Sequence, residues 1–133
     1  MNDHAFARSR PGARAGRTVF IDGLELDASI GVWPEERGRP QRIVIDVELD
    51  LLDPFPHEDD HSRVVCYDAL ARRIEQLVGE GHVNLVETLA DRVADLCLED
   101  ARVGWVRIRI EKPQALAKAR TVGVRVSRGK SVG

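Results

Sequence analysis

The stretch "VRIRIEKPQALAKARTVGVRV", residues 106–126, decides the fold and raises the main question about this sequence. Apolar and charged residues alternate from Val106 to Glu111, which is the pattern of a strand with one buried and one solvated face. The same alternation puts Lys112 on the buried face, directly before Pro113 ends the hydrogen bonding of the strand. Two interpretations are open. The lysine extends its ammonium from the strand end to water, or it is partly desolvated and exchanges a proton near neutral pH.

The rest of the chain predicts further strands and two helices. Four segments alternate apolar and polar residues as strands do: residues 18–32, 41–51, 103–112 and 119–128. Two segments carry apolar residues at helical spacing: residues 67–81 and 84–100. We expect the first strand to kink near Gly23. The order ββααββ predicts an α+β fold in which two helices cover one face of a four-stranded antiparallel sheet. Such a sheet has two open edges, which assembly into a ring would protect, so we predict a homo-oligomer.

Length and composition describe a single globular domain. The chain has 133 residues, of which 43% are hydrophobic and 32% charged. No apolar run approaches the roughly 20 residues of a membrane helix, and no secretory signal is present, so we expect a cytoplasmic protein without membrane contact. Residues 1–17 contain four arginines and one acid and predict a disordered tail. The expected domain covers residues 18–128, followed by a flexible C-terminus at 129–133. Without the tail the net charge is about −5, which predicts no nucleic-acid partner.

Cysteine and histidine usage predicts neither a disulfide nor a metal site. Cys66 and Cys97 lie far apart without a CxxC motif, and we expect both to be buried free thiols. His57 and His61 have i, i+4 spacing, but their surroundings are turn residues and no second ligand cluster follows.

Three further residues have both a structural and a functional interpretation. Glu36 lies in a loop, where a solvated carboxylate is the ordinary state, and Tyr67 opens the first helix, where it could only pack. Glu87 stands three residues after Asn84, which is the spacing of a helix capping box. None of these residues is specific evidence by itself.

Taken together and in order, the motifs are specific. They are "IGVWPEE" (30–36), "PQRIVIDVEL" (40–49), "CYDAL" (66–70), "NLVETLADRVADL" (84–96) and the stretch 106–126. Through these motifs the chain resembles the dihydroneopterin aldolases of folate biosynthesis, from about Thr18 to Arg128. The resemblance implies the tunnelling fold (T-fold). It also implies assembly into tetrameric rings, typically stacked as octamers, with active sites between subunits.

The resemblance also implies a role for five residues. Lys112 matches a catalytic lysine that moves protons through an ordered water, and Glu36 matches a loop glutamate near the substrate's trihydroxypropyl chain. Tyr67 matches a tyrosine that a neighbouring subunit places close to the atom to be protonated. Glu87 matches the carboxylate that binds the pterin amino and ring N–H groups, and Val86 offers a backbone contact beside it.

The implied reaction is a retro-aldol cleavage of 7,8-dihydroneopterin. The dihydropterin already contains an imine conjugated to the breaking bond, so neither a Schiff base, a metal nor a cofactor is required. Three alternatives stay open at this point. Glu35 is the other candidate for the loop carboxylate, the related dihydroneopterin triphosphate epimerase shares much of the motif set, and a non-catalytic pterin-binding ring protein would need Glu87 but not Lys112.

Overall fold

The computed structural model describes residues 16–52 and 56–130. The main elements follow in the predicted order ββααββ: β1 (Thr18–Ala28), β2 (Gln41–Leu51), α1 (Tyr67–Val78), α2 (Val86–Leu98), β3 (Val103–Lys112) and β4 (Val122–Gly129). The four strands form one antiparallel sheet with the strand order β1-β2-β3-β4. This arrangement confirms the predicted architecture of a four-stranded sheet with two helices.

The predicted kink in β1 is present. The pairing of β1 with β2 changes register between Ile21 and Leu24. Gly23 lies between these two residues with a φ of 72°, a left-handed conformation that glycine adopts at little cost. Its N–H donates to Asp46 Oδ1 at 2.6 Å, so the irregular segment stays attached to β2.

One face of the sheet forms the hydrophobic core beneath the two helices. Helix α1 packs on β1, and α2 packs on β3 and β4. The central strands bury alternate residues: Ile43, Ile45, Val47, Leu49, Val106, Ile108 and Ile110. Each helix buries residues spaced by four: Leu70, Ile74 and Val78 in α1, and Leu89, Val93 and Cys97 in α2. Each buried aliphatic side chain contributes about 1.5–3 kcal/mol. The opposite face is charged, and its residues pair across strands, such as Arg109 with Asp46 at 3.6 Å.

The chain direction gives the sheet two distinct ends. Four strand termini meet at one end, which we call the lysine end: Ala28, Gln41, Lys112 and Val122. The opposite end, which we call the tyrosine end, is the side on which α1 begins at Tyr67. There Cys66, the residue before α1, lines a cleft with Leu49 and Arg102. Helix α1 has 12 residues and therefore extends about 18 Å towards the lysine end.

Several boundaries differ from the sequence prediction. β1 ends at Ala28 rather than at 32, α1 ends at Val78 rather than at 81, and α2 spans Val86–Leu98 rather than 84–100. Strand β4 begins at Val122 rather than at 119, because a turn closed by a hydrogen bond from Ala119 N to Leu116 O (3.3 Å) occupies the preceding residues. At its other end the sheet continues past residue 128, since Lys130 N donates to Gly104 O at 3.0 Å. Residues 1–15 and 131–133, which hold most of the predicted tail and C-terminal segment, lie outside the described residues.

Both cysteines are free thiols, as predicted, although only Cys97 is fully buried. Burial raises the pKa of the Cys97 thiol to about 12. Cys66 is half-buried and caps α1, because its Sγ accepts a hydrogen bond from Ala69 N at 3.4 Å. Within residues 16–52 and 56–130, His, Cys, Asp and Glu form no group of three or more that would hold a metal ion. Among the same residues, no helix is long and apolar enough to cross a membrane.

Candidate active site

Lys112 is the last residue of β3, and its ammonium is paired rather than extended to water. Its side chain is only 14% exposed, and Nζ lies 3.2 Å from Glu36 Oε2. The Glu36 side chain is 19% exposed. The interpretation of Lys112 as a lysine that reaches from the strand end to water is therefore wrong. The structure instead places a half-buried acid–base pair at the lysine end of the sheet.

The Glu36 carboxylate is held by fixed donors on both oxygens. The sequence folds the Pro34–Glu36 segment into a 3₁₀ turn, and this turn brings Oε1 within 3.1 Å of the Trp33 N–H. Gln41 Nε2 donates to Oε2 at 3.1 Å, beside the Lys112 ammonium. The Trp33 N–H makes the largest contribution, and with Gln41 and Lys112 it holds the pKa of the Glu36 carboxyl below its usual value.

Gly31 provides the space for this carboxylate. It has a φ of +137°, and a Cβ added there would lie 2.0 Å from Glu36 Cδ, so only glycine fits. The neighbouring Ile30 carbonyl accepts a second hydrogen bond from Gln41 Nε2 at 2.7 Å, which ties this segment to the same amide. Glu35 is exposed, so the structure brings Glu36 and not Glu35 to Lys112.

Val86 and Glu87 open α2 at the lysine end. The loop before them is joined to the segment that follows β1 by hydrogen bonds from Gly31 N to Val83 O (3.0 Å) and from Val83 N to Ser29 O (3.1 Å). These bonds bring the start of α2 to the same end of the sheet as Glu36. Glu87 is exposed, and within the described part of the chain its carboxylate makes no hydrogen bond or ion pair.

The capping-box interpretation of Glu87 is wrong. The residue before the first turn of α2 is Leu85, which supplies no side-chain cap, so Glu87 is the second residue of the helix and not the third. Asn84 Oδ1 accepts a hydrogen bond from Arg37 Nη2 at 3.0 Å instead of capping α2. The helix starts later than the local sequence indicates because the pairing of Val83 with Ile30, after the end of β1, fixes the preceding backbone.

Tyr67 lies at the other end of the molecule. It is the first residue of α1 and is 66% exposed. Since α1 extends about 18 Å from the tyrosine end to the lysine end, the structure does not bring Tyr67 to the Lys112 of the same chain. Four of the predicted residues therefore lie at the lysine end: Lys112, Glu36, Val86 and Glu87. The fifth, Tyr67, lies at the tyrosine end.

Two residues that hold the Glu36 carboxylate, Gln41 and Gly31, were not predicted from the sequence. Gln41 was detectable, because the alternation of β2 places it on the same face as Ile43, just as the alternation of β3 exposes the anomaly at Lys112. Gly31 carries no such signal, since its role depends on a carboxylate five residues later in the chain.

Comparison with known proteins identifies the family. The sequence profile described as FolB, dihydroneopterin aldolase, matches residues 19–127. The chain belongs to the dihydroneopterin aldolase family. The dihydroneopterin aldolase of Streptomyces coelicolor is 37% identical over 98 residues, which cover 73% of this chain and 82% of that relative.

Solved structures of dihydroneopterin aldolases share the fold. The Escherichia coli enzyme in complex with neopterin superposes with a TM-score of 0.77 at 33% identity, covering 85% of this chain and 99% of that one. The Burkholderia thailandensis enzyme bound to guanine superposes with a TM-score of 0.75 at 35% identity, covering 87% and 93%. The architecture is therefore the tunnelling fold of the dihydroneopterin aldolases, as the resemblance implied.

Proposed function

We propose that this chain is a lyase that cleaves 7,8-dihydroneopterin into 6-hydroxymethyl-7,8-dihydropterin and glycolaldehyde. The observation that carries the proposal is the Lys112–Glu36 pair at the lysine end, in a chain of the dihydroneopterin aldolase family. Both groups are half-buried. The Glu36 carboxylate accepts hydrogen bonds from Trp33 N, Gln41 Nε2 and Lys112 Nζ, so the pair needs little reorganisation when a proton moves.

The chemistry requires a base, an electron sink and an acid. The base removes the proton of the 2′-hydroxyl, the C1′–C2′ bond breaks, and C2′ and C3′ leave as glycolaldehyde. The electron pair enters the ring imine and forms an enamine, which the acid protonates at C1′. A positioned acid or base typically accelerates such a step by about 10²- to 10⁴-fold. Lys112 is proposed to move these protons through an ordered water, with Glu36 beside the trihydroxypropyl chain.

Glu87 is proposed to anchor the pterin ring, with the Val86 backbone as a further contact. Two of the proteins similar to this chain are in complex with neopterin and with guanine, and both ligands carry an amino group next to a ring N–H. A carboxylate offers two acceptor oxygens to two such adjacent donors. The Glu87 carboxylate is exposed at the start of α2 and is not engaged by the described residues, which supports this role.

The position of Tyr67 is the reason to propose a site shared between copies. A phenol at the tyrosine end reaches a lysine end only if that end belongs to a second chain. β1 and β4 each have an open edge, and edge-to-edge pairing of copies would close a tetrameric ring, with octamers formed by stacking. Native mass spectrometry should give the mass of an assembly of about four chains or about eight, as expected for closed rings that stack. A fully active monomer would contradict the proposal.

Independence of a metal and of a Schiff base is part of the same proposal. The substrate supplies the electron sink, so activity should survive exhaustive chelation. Borohydride added with substrate should leave no covalent adduct on Lys112. An adduct at that position, detected by mass spectrometry, would establish a Schiff-base aldolase and contradict the mechanism above.

The direct test of the proposed activity is the release of glycolaldehyde from 7,8-dihydroneopterin, with the Lys112→Ala variant as the control. A pterin-binding protein without catalysis would bind the compound and release nothing. Chromatography of the same mixture shows whether epimerisation to dihydromonapterin accompanies cleavage. Absence of glycolaldehyde from the wild-type protein would refute the proposed function. The cytoplasmic location and the absence of a nucleic-acid partner stay predictions.

A further inference from the structure

His82 joins the loop between the two helices to the segment that follows β1. Its Nδ1 lies 2.7 Å from Ser29 Oγ, and its Nε2 lies 2.8 Å from the Gly31 carbonyl oxygen. Because a carbonyl oxygen only accepts, Nε2 carries the hydrogen, and in the neutral ring Nδ1 accepts from the serine hydroxyl. Two backbone hydrogen bonds of Val83 flank the ring. Four hydrogen bonds therefore fix residues 29–31 to residues 82–83.

Residues 29–31, which His82 fixes, form the surface against which the Glu36 carboxylate lies, and we call this segment the seat of Glu36. The Cα of Gly31 lies directly against that carboxylate, with no space for a side chain between them. The carbonyl of Ile30 shares the Gln41 amide with Glu36 Oε2, the oxygen that also contacts Lys112. A shift of this segment would therefore move the carboxylate, and with it the ammonium.

We propose that His82 is a positioning residue for the reaction. By donating to the Gly31 carbonyl it fixes the seat of Glu36, and through Glu36 it sets the position of the Lys112 ammonium. The inference rests on the proposed function of that pair. It concerns turnover rather than pterin affinity, because Glu87 is positioned by the backbone hydrogen bonds of Val83 and by the buried face of α2, neither of which depends on the His82 side chain. A displacement of about 1 Å in a catalytic group is enough to cost about 10²-fold in rate.

Three substitutions separate positioning from packing. His82→Phe keeps a flat ring but removes both nitrogens. His82→Gln places an amide nitrogen near the position of Nε2 and can still donate to Gly31, whereas His82→Asn is shorter and reaches only the Ser29 side. We expect the Phe and Asn variants to lower kcat by about 10- to 100-fold and the Gln variant to stay within about threefold, with the pterin Kd within about threefold throughout. His57→Phe, an exposed histidine in the loop before α1, should behave as the wild type.

A double variant tests whether His82 acts through Glu36. If it does, His82→Asn should change kcat by less than about twofold in a Glu36→Gln background, since the group that it positions is already impaired. A full additional loss in that background would overturn the proposal. So would a kcat within twofold of the wild type in both the Phe and Asn variants, or a parallel loss of kcat and pterin affinity.

One measurement is independent of activity and separates this inference from the proposed function. The Trp33 amide donates to Glu36 Oε1, so its hydrogen exchange, followed by NMR, reports whether the carboxylate is in its seat. The exchange should accelerate by at least about tenfold in the Phe and Asn variants and not in the Gln variant. Unchanged exchange would overturn the positioning role. A wild-type protein that releases no glycolaldehyde would instead overturn the proposed function alone.

Discussion

The lysine end and the tyrosine end of the sheet are built in opposite ways. At the lysine end, Glu36 and Lys112 are half-buried and paired at 3.2 Å, and the Glu36 carboxylate also accepts from Trp33 N and Gln41 Nε2. At the tyrosine end, Tyr67 is 66% exposed at the first residue of its helix. The first end is pre-organised within one chain, because its polar groups already have partners. The second end exposes the Tyr67 phenol on the surface of the chain.

This difference teaches how a single chain can hold parts of two sites. Glu36, Lys112, Val86 and Glu87 share one end, so one chain supplies the proposed acid–base pair and the proposed pterin anchor. Tyr67 is separated from them by the length of α1, so its phenol is proposed to belong to the site of a second chain. Substitutions can therefore disrupt each end separately.

Replacing Lys112 should have the largest effect on turnover. Lys112→Ala is expected to lower kcat by about 10²- to 10⁴-fold, because the proposed proton relay acts in the transition state. The pterin Kd should stay within about tenfold, since the anchor is elsewhere. Lys118→Ala, an exposed lysine in the loop before β4, is the matched control and should keep the wild-type rate. Near-normal turnover of the Lys112 variant in the glycolaldehyde assay would refute its catalytic role.

Glu87→Gln should act on binding rather than on folding. A carboxamide replaces one acceptor oxygen with a donor, so pterin binding should weaken by about 2–4 kcal/mol in isothermal titration. Glu87 caps no backbone group and only complements the helix dipole, so the unfolding free energy should change by less than about 1 kcal/mol. Glu80→Gln, in the loop between the helices, controls for charge. Unchanged affinity with a lowered melting temperature would mean that Glu87 has only a structural role.

Tyr67→Phe tests the tyrosine end by removing one hydroxyl. Because that hydroxyl is proposed to lie close to the carbon that is protonated in the site of a second chain, kcat should fall by about tenfold or more. The exposed side chain contributes little to folding, so stability should stay within about 0.5 kcal/mol. Steady-state kinetics and a denaturant titration measure both quantities. A variant with the wild-type kcat would remove Tyr67 from the reaction.

The smallest expected effect is on stability at low pH. The Trp33 N–H, followed by Gln41 and Lys112, holds the pKa of folded Glu36 below its usual 4.5. The unfolded chain therefore binds the proton first as the pH falls, and the stabilisation by Glu36 is complete above its unfolded pKa and lost through its folded pKa. The difference in unfolding free energy between the wild type and Glu36→Gln should thus shrink below about pH 4.5. A difference that is constant from pH 7 to acid would contradict this linkage.

The fold and the position of Lys112 were predictable because strand geometry has a fixed period of two. Counting along β3 puts Lys112 on the core face, and the structure confirms its burial. The same count along β2 reaches Gln41, which shows that a polar residue in an apolar register is a usable signal for a site. The kink at Gly23 was also readable, since glycine interrupts an otherwise regular alternation.

Other features depend on contacts that are distant in the sequence. The spacing of Asn84 and Glu87 predicts a cap, but the pairing of Val83 with Ile30 fixes where α2 begins. The roles of His82 and Gly31 depend in the same way on contacts made only after folding. Local propensity contains no information about such contacts, because tertiary pairing overrides it.

The central claim is that one site combines the lysine end of one chain with the tyrosine end of another. Its most direct test is complementation between the Lys112→Ala and Tyr67→Phe variants, co-expressed at equal amounts with different tags so that mixed assemblies can be isolated. In randomly mixed rings, about a quarter of the interfaces join an intact lysine end to an intact tyrosine end. The mixed assemblies should therefore recover about a quarter of the wild-type rate, well above either variant alone. Mixed assemblies no more active than the mean of the two variants would contradict a shared site.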